Sequence, residues 1–284
     1  MKTILALALI LFAQAPPDVD VVRDVEFGKG GGRALKLHLV KPKSPPKEPM
    51  AVVVYIYGGG WKAGSRDAGV RPLTRLAQKG YFGASIEYRL SQEAKFPAQI
   101  EDCKAAIRFL RSKAKEYGID PDRIGVWGPS AGGHLAALVG TSGDVKELEG
   151  AGGSQEFSSR VQAVVDWFGP TDFLKMGKNK IEHDAPGSPE SQLIGGPIQE
   201  NKEKVARANP ITYVTKDDPP FFIMHGDKDD LVPLSQSELL QEALQKAGVE
   251  STLKVMAGQG HGFRGGGAEA PVEAFFDKVL RPKR

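Results

Sequence analysis

Short apolar segments rich in β-branched residues alternate with amphipathic segments along most of the chain. Six of the apolar segments predict buried strands. They span residues 51–57, 83–88, 123–127, 161–168, 221–225 and 252–256. Apolar residues recur at helical spacing within residues 98–117 and 235–247. Nearly continuous hydrophobicity in the strands is typical of a mainly parallel sheet that is covered on both faces. The pattern predicts an α/β fold with helices on both faces of the sheet.

Two other regions depart from this alternation. Residues 19–27 and 34–40 read as extended segments joined by the glycine-rich residues 28–32, and they predict an antiparallel N-terminal hairpin. The glycines are not expected to bind a nucleotide, because a strand follows them where a dinucleotide loop would open a helix. Residues 171–219 form a long insertion with short helices predicted at 188–194 and 202–208. Long connections of this kind often border a binding site.

Composition and charge narrow the range of functions. Of the 284 residues, 40% are hydrophobic and 26% are charged, which is typical of a globular protein with a sizeable core. The formal net charge is +3, and basic and acidic residues are interspersed. Nucleic acid and anionic membranes are therefore not expected as partners. Cys103 is the only cysteine, so an intrachain disulfide is excluded.

The first 15 residues predict a secretory signal peptide. Lys2 precedes an apolar run over residues 4–12, and Ala13-Gln14-Ala15 matches the small-residue cleavage site. The run is too short to cross a bilayer comfortably, so no stable membrane span is expected after processing. Residues 16–284 are then expected to form a single domain in a secreted or periplasmic protein.

A nucleophile motif follows the third of the six predicted strands. Residues 128–133 read G-P-S-A-G-G and lead into an apolar helical segment. This is G-x-S-x-G in its strand–turn–helix context, where flanking glycines permit a sharp turn that exposes the serine hydroxyl. The N-terminus of the following helix adds its dipole beside the reacting oxygen. Ser130 is therefore the predicted nucleophile.

A nucleophilic serine needs a base to take its proton. In α/β folds that carry this G-x-S-x-G turn, the order along the chain is serine, acid, histidine. Of the five histidines, His261 follows the last strand in a glycine-rich loop and is the predicted base. We expect His38 to be exposed on its strand, and His134, on the flank of the nucleophile helix, to have a packing or hydrogen-bonding role. His183 precedes any plausible acid, and His225 ends a strand and is expected to be structural.

Two further motifs supply the remaining groups. The turn after residues 221–225 offers Asp227, Asp229 and Asp230 as acids that orient the imidazole, and spacing alone does not separate them. The oxyanion formed during ester cleavage requires preorganised N–H donors. In this fold one donor follows the nucleophile, here Ala131, and the others come from a glycine-rich loop after an early strand, a place occupied by residues 57–61 (YGGGW).

Four motifs in register resemble one family of enzymes. They are YGGGW at 57–61, GPSAGG at 128–133, HGDKDDLVP at 225–233 and GQGHGF at 258–263. Over about residues 50 to 280 the chain is similar to α/β-hydrolase esterases of the hormone-sensitive-lipase group, and more closely to bifunctional feruloyl/acetyl-xylan esterases. The resemblance implies that Asp229 is the acid and that Gly59, Gly60 and Ala131 are the oxyanion donors. Tyr57 departs from the family pattern, in which a histidine usually begins the glycine loop and helps to hold it.

These features predict a secreted serine carboxylesterase acting on short acyl or aromatic esters, with acetyl or feruloyl groups on plant polysaccharide as candidates. No metal or organic cofactor is implied, and the sequence makes no prediction of oligomeric state. The aromatic residues Trp61, Trp127 and Phe168 flank the motifs and are candidates for lining the substrate pocket. Two alternatives stay open. One is a serine peptidase of the acyl-peptide hydrolase type, and the other is a non-catalytic binding protein with this fold.

Overall fold

An eight-stranded sheet lies at the centre of the computed structural model, which describes residues 18–143, 145–177 and 180–281. The predicted signal peptide lies outside the described residues. The order across the sheet is β1-β2-β4-β3-β5-β6-β7-β8. Pairs β1/β2 and β2/β4 are antiparallel, and the remaining pairs are parallel. The strands are β1 (Val19–Gly30), β2 (Arg33–Pro42), β3 (Met50–Ile56), β4 (Phe82–Ile86), β5 (Ile119–Pro129), β6 (Ala163–Trp167), β7 (Phe221–Gly226) and β8 (Ser251–Met256).

Helices connect the parallel strands and cover the sheet. They are α1 (Val70–Gln78), α2 (Ala98–Ser112), α3 (Ala114–Tyr117), α4 (Ala131–Thr141), α5 (Pro189–Ile194), α6 (Lys202–Ala208), α7 (Ser235–Lys246) and α8 (Glu269–Leu280). Short 3-10 turns lie between several of them. None of the helices in the described ranges is both long and apolar enough to cross a membrane.

Burial across the sheet follows strand position. Every residue of β3 and β4 is buried, because both strands have neighbours on either side and helices above and below. Strand β8 forms one edge, and its residues are exposed or half-buried, with Val255 46% exposed. The expected continuous burial therefore holds for the central strands and is wrong for the edge strand β8.

The predicted α/β fold with its N-terminal hairpin is confirmed, and the differences are local. The helix expected over residues 98–117 is divided in two at Lys113, whose N–H donates to the carbonyl oxygens of Phe109 and Leu110 and closes the end of α2. Helices α1 and α8 were not predicted. The nine residues of α1 do carry an amphipathic pattern, with Leu73, Leu76 and Ala77 buried at helical spacing, but the segment is short.

The expectation that His38 is exposed is wrong. Strand β2 pairs with β4 as well as β1, so it lies inside the sheet, and His38 is only 2% exposed. Its Nδ1 accepts the backbone N–H of Asp24, and its Nε2 lies 3.2 Å from the carboxylate of Asp67. Burial lowers the pKa of His38.

Strands β3, β5, β6 and β7 run in the same direction, so their carboxyl ends meet at one edge of the sheet. The loops that carry the nucleophile, the glycine loop and the acidic turn leave the sheet at this edge. Helices α5 and α6 of the insertion lie at residues 189–194 and 202–208, where the sequence predicts short helices.

Candidate active site

Ser130 sits at a strained turn between β5 and α4. Its φ of 54° and ψ of −125° lie where residues with side chains are rarely found. A Cβ atom at Gly128 would clash with the backbone of Gly132, and one at Gly132 would clash with the carbonyl group of Ile56. The backbone segments therefore approach one another as only glycine permits. The backbone N–H of Ser130 donates to the carbonyl oxygen of Trp167 (2.8 Å), which fixes the turn to strand β6.

A chain of hydrogen bonds links Ser130 to His261 and Asp229. The Oγ atom of Ser130 lies 2.8 Å from Nε2 of His261, and Nδ1 of His261 lies 2.8 Å from Oδ2 of Asp229. When the neutral imidazole carries its proton on Nδ1, it donates to the carboxylate and Nε2 accepts from the serine hydroxyl. The three side chains come from separate loops and meet at the carboxyl edge of the sheet. Nucleophile, base and orienting acid thus have the geometry needed for acyl transfer.

Asp229 is held as a buried carboxylate. Its Oδ1 accepts the backbone N–H groups of Leu231 and Val232 at 2.9 Å each, and its Oδ2 also lies 3.3 Å from Nε2 of His225. Burial opposes ionisation of the side chain, but the hydrogen bonds from His225, His261 and Val232 outweigh it and hold the pKa of Asp229 well below its usual range. A permanent negative charge beside His261 stabilises the imidazolium that forms during acyl transfer.

The other two aspartates of this turn point elsewhere. Oδ1 of Asp227 accepts the backbone N–H of Gly258 (2.7 Å), a contact that holds the following loop. Asp230 forms an ion pair with Lys180 of the insertion. Of the three candidates, only Asp229 has a hydrogen bond to His261 among the described residues, in agreement with the residue that the family resemblance implies.

The glycine loop after β3 lies directly against the serine turn. A Cβ atom at Gly58 would lie 2.7 Å from the carbonyl oxygen of Pro129. Within residues 18–143, 145–177 and 180–281, the N–H groups of Gly59 and Gly60 donate to no acceptor. Ala131 is the first residue of α4, so its N–H has no intrahelical acceptor either. Three predicted donors therefore remain available beside Ser130.

Tyr57, which stands where the family usually has histidine, is buried at the start of this loop. Its hydroxyl donates to the backbone carbonyl of Tyr88, and its ring packs so closely on Gly64 that a Cβ there would lie 2.5 Å from a ring carbon. The phenol thus anchors the loop to the chain that follows β4.

A cavity of about 430 Å³ opens at the hydrogen-bonded chain. Phe168 lines it, with its ring centroid 4.8 Å from that of His261. Trp61 also lines it but is only 1% exposed, and its Nε1 donates to Nδ1 of His134 (3.2 Å). Further lining residues come from the segment after β6, the acidic turn and the insertion. They are Pro170, Ile181, Pro189, Glu190, Leu231 and Val232.

The structure corrects the expectation for Trp127, which does not line this cavity. Its side chain is buried and packs edge-on against Tyr55 and Trp167, where it borders a separate cavity of about 390 Å³. Successive side chains of a strand point to opposite faces of a sheet, so closeness to Ser130 in sequence does not bring the indole to the site.

His134 and His225 have structural contacts, as expected. His134 is fully buried, its Nε2–H donates to the carbonyl of Ala208 (2.8 Å), and burial lowers its pKa to about 4, so the ring is neutral. His225 is tied through Nδ1 to the hydroxyl of Ser237 (2.7 Å) and through Nε2 to the carbonyl of Val232 (2.8 Å). His225 thereby braces the turn that carries Asp229.

Two charged lining residues were not identified from the sequence. Glu190 lies near the start of α5 and Lys62 follows the glycine loop, and both reach the cavity. Nothing in the sequence distinguishes either residue from ordinary surface charges. Across the described ranges, no cluster of three or more His, Cys, Asp or Glu side chains is arranged to hold a metal ion.

Comparison with known proteins identifies relatives of this chain. The model of the BD-FAE family matches residues 37–244. Esterase LipQ of Mycobacterium tuberculosis (strain ATCC 25618 / H37Rv) is 34% identical over 226 residues, which are 79% of this chain and 53% of that protein. The chain thus spans about half the length of this curated relative.

Solved structures that are similar to this chain also include esterases. A truncated carbohydrate esterase from gut microbiota is 33% identical with a TM-score of 0.81, over 91% of this chain and 95% of that one. A bifunctional GH43-CE protein of Bacteroides eggerthii is 39% identical with a TM-score of 0.82, over 91% of this chain and 38% of that one. By its family match, its fold and these relatives, the chain belongs to the BD-FAE family of α/β-hydrolase esterases.

Proposed function

We propose that this protein is a serine carboxylesterase in which Ser130, His261 and Asp229 act as nucleophile, general base and orienting acid. The observation that carries the proposal is the 2.8 Å contact between Ser130 Oγ and His261 Nε2 at the wall of an open cavity. This distance lies within the range needed for proton transfer to a general base.

In the first half of the reaction, Ser130 Oγ attacks the ester carbonyl carbon and His261 Nε2 takes the hydroxyl proton. The carbonyl oxygen becomes an oxyanion, which accepts hydrogen bonds from the N–H groups of Gly59, Gly60 and Ala131. Each such donor contributes about 3 kcal/mol to transition-state stabilisation. As the intermediate collapses, the C–O bond breaks, and the imidazolium gives its proton to the departing alkoxide, which leaves as an alcohol.

In the second half, water hydrolyses the acyl-enzyme. His261 takes a proton from the water, whose oxygen attacks the acyl carbon in the same oxyanion hole. The second intermediate releases the carboxylic acid, and Ser130 Oγ recovers its proton from His261. Asp229 remains ionised throughout and stabilises the imidazolium in both halves.

The proposed substrates are short acyl or aromatic esters of carbohydrates, with acetyl and feruloyl groups on plant polysaccharide as candidates. Two observations support this class. Phe168, Pro170, Leu231 and Val232 give the cavity an apolar side that suits a short acyl chain or an aromatic ring. One structural relative is called a carbohydrate esterase.

The activity is tested by assaying purified protein on p-nitrophenyl acetate and p-nitrophenyl butyrate beside Ser130→Ala. We expect the wild type to hydrolyse at least one ester and the variant to fall by several orders of magnitude. Equal slow hydrolysis by both proteins contradicts the proposal. Acetylated xylan and methyl ferulate, assayed in the same way, test the substrate class.

Export by the N-terminal 15 residues is a separate proposal, supported by the basic start, apolar run and A-x-A site. N-terminal sequencing of the full-length protein expressed in a bacterial host, recovered from periplasm and medium, tests it. A mature chain that begins near residue 16 is expected, whereas intact protein found only in the cytoplasm contradicts export.

A further inference from the structure

A second, polar cleft of about 600 Å³ adjoins the cavity that holds Ser130. Lys62 lines both, so the two lie side by side at the end of the glycine loop. Helix α5 borders both as well, with Pro189 and Glu190 at the first and Gln192 at the second. The helix is seated on the glycine loop itself, because a Cβ at Gly60 would lie 3.1 Å from Cβ of Pro189.

Glu190 is a buried carboxylate with one unused oxygen. The residue is 3% exposed, and its Oε1 lies 3.1 Å from Nδ1 of His183. Its Oε2 has no hydrogen-bond partner among the described residues. Leaving a buried polar atom without a partner costs free energy, about 1 to 3 kcal/mol and more for a charged group. Such an atom in the wall of a substrate cavity is explained when the substrate supplies the missing donor.

Ser91 repeats this situation in the second cleft. The residue is 1% exposed, and its Oγ lacks a partner in the described part of the chain. Its backbone is held firmly, because its N–H donates to the carbonyl of Trp61 (2.8 Å) and its carbonyl accepts from Nζ of Lys95 (2.9 Å). The backbone that carries this hydroxyl is therefore held in place beside the cleft.

Lys62 lines both the cavity with Glu190 and the cleft with Ser91, and it forms no ion pair with any described residue. Glu190, Lys62 and Ser91 therefore offer a carboxylate acceptor, an ammonium donor and a hydroxyl along the two adjoining cavities. Gln92 and Gln192 flank the far end, and each donates its amide N–H to a backbone carbonyl, of Lys62 and Gly187 respectively, which leaves the side-chain oxygens as acceptors.

We propose that this path from Glu190 across Lys62 to Ser91 and Gln192 binds the pyranose residues of the carbohydrate that carries the ester. A sugar hydroxyl both donates and accepts, so neighbouring hydroxyls of one chain satisfy all three kinds of group. The apolar side of the first cavity holds the acyl group, and the polar path holds the alcohol. This inference rests on the proposed function and names the residues that select its substrate.

Calorimetric titration of the wild-type chain with unesterified xylotetraose, cellotetraose and mannotetraose tests this path, because binding of a product glycan requires no catalysis. We expect saturable binding of at least one tetraose. Glu190→Gln and Lys62→Met should each weaken that binding at least tenfold, whereas Glu203→Gln, which alters an exposed carboxylate on α6, should leave it within twofold. Thermal unfolding of each variant shows whether the buried Glu190 change has disturbed the fold, and Lys62→Met keeps the test decisive if it has.

The inference is overturned if no tetraose binds, or if binding persists unchanged in both Glu190→Gln and Lys62→Met. The two proposals fail separately. If Ser130 is needed to hydrolyse p-nitrophenyl acetate but Glu190→Gln and Lys62→Met do not weaken tetraose binding, only the glycan path is contradicted. If these variants weaken tetraose binding but the wild type hydrolyses no ester, the path is supported and the esterase proposal is contradicted.

Discussion

Tyr57 and Tyr88 exchange hydrogen bonds between their side chains and backbones. The hydroxyl of Tyr57 donates to the carbonyl oxygen of Tyr88 (3.3 Å), and the hydroxyl of Tyr88 donates to the carbonyl oxygen of Tyr57 (3.0 Å). The two rings stack with their centroids 4.4 Å apart. Burial raises the pKa of both phenols, so they remain neutral donors. This pair secures the start of the glycine loop, where related esterases usually have a histidine.

Removing one hydroxyl of the pair should loosen the loop. In Tyr88→Phe the carbonyl of Tyr57 loses a buried donor, so we expect the free energy of unfolding to fall by about 1 to 3 kcal/mol. We also expect kcat for p-nitrophenyl acetate to fall, because the oxyanion donors Gly59 and Gly60 lie in the loop that begins at Tyr57. Tyr213→Phe is the matched control, since its hydroxyl also donates to a backbone carbonyl, of Arg207, but at an exposed site. Urea unfolding and esterase assays that give equal losses in the two variants would contradict a special role for the pair.

Replacing each aspartate of the acidic turn should separate their roles. Asp229→Asn removes the charge that faces His261 and permits the wrong tautomer, so kcat should fall by about four orders of magnitude. Asp230→Asn breaks only an exposed ion pair with Lys180 and should change kcat less than twofold. Asp227→Asn, which alters the bond to Gly258, should lie between them. Steady-state kinetics in which Asp227→Asn is the most damaging would overturn the choice of acid.

The glycine loop should not tolerate a side chain at Gly59. This residue has a φ of +109°, and a Cβ would collide with the carbonyl group of Ala63. Gly59→Ala must therefore shift the loop, and loss of one oxyanion donor should lower kcat by about 100-fold or more. Gly80→Ala is the control, because its φ is +86° but nothing lies within 4 Å of the added atom. It should cost about 1 kcal/mol of stability and leave kcat unchanged. Similar kcat values in the two variants would count against the donor role.

Asp166 should make stability depend on pH. The residue lies on β6 with no exposed surface. Its Oδ1 accepts the N–H of Gly169 (2.9 Å), and its Oδ2 has no partner among the described residues. Burial raises the pKa of Asp166 to about 7, whereas an unfolded aspartate titrates at about 3.9. The folded chain therefore binds a proton that the unfolded chain lacks, and this contribution to stability is lost as pH rises through that window.

Asp166→Asn cannot ionise and keeps an oxygen for the N–H of Gly169. Relative to wild type, its free energy of unfolding should rise between pH 5 and pH 7 by at most about 1.4 kcal/mol per pH unit. Urea unfolding at several pH values measures this difference, and Glu203→Gln serves as an exposed control. If the difference in free energy of unfolding between the wild type and this variant does not vary with pH, Asp166 does not have the raised pKa.

Features that depend on residues close together in the sequence could be predicted from the sequence alone. The apolar β-branched segments determined the central strands, since such runs are stable only when buried between helices. The glycines on either side of Ser130 determined the sharp turn, because the backbone there approaches its neighbours too closely for side chains. The order of motifs then placed His261 last, at the correct edge of the sheet.

Features that depend on side-chain direction between distant segments required the tertiary structure. The choice of Asp229 over its two neighbours depends on which carboxylate the turn directs at His261, 32 residues further along the chain. The replacement of the family histidine by Tyr57 became understandable only once β3 and β4 brought it against Tyr88. Glu190 resembles any helical carboxylate until packing of the insertion buries it in the cavity wall. Local pattern specifies the backbone path, but only packing between remote segments decides which side chains meet and with what charge.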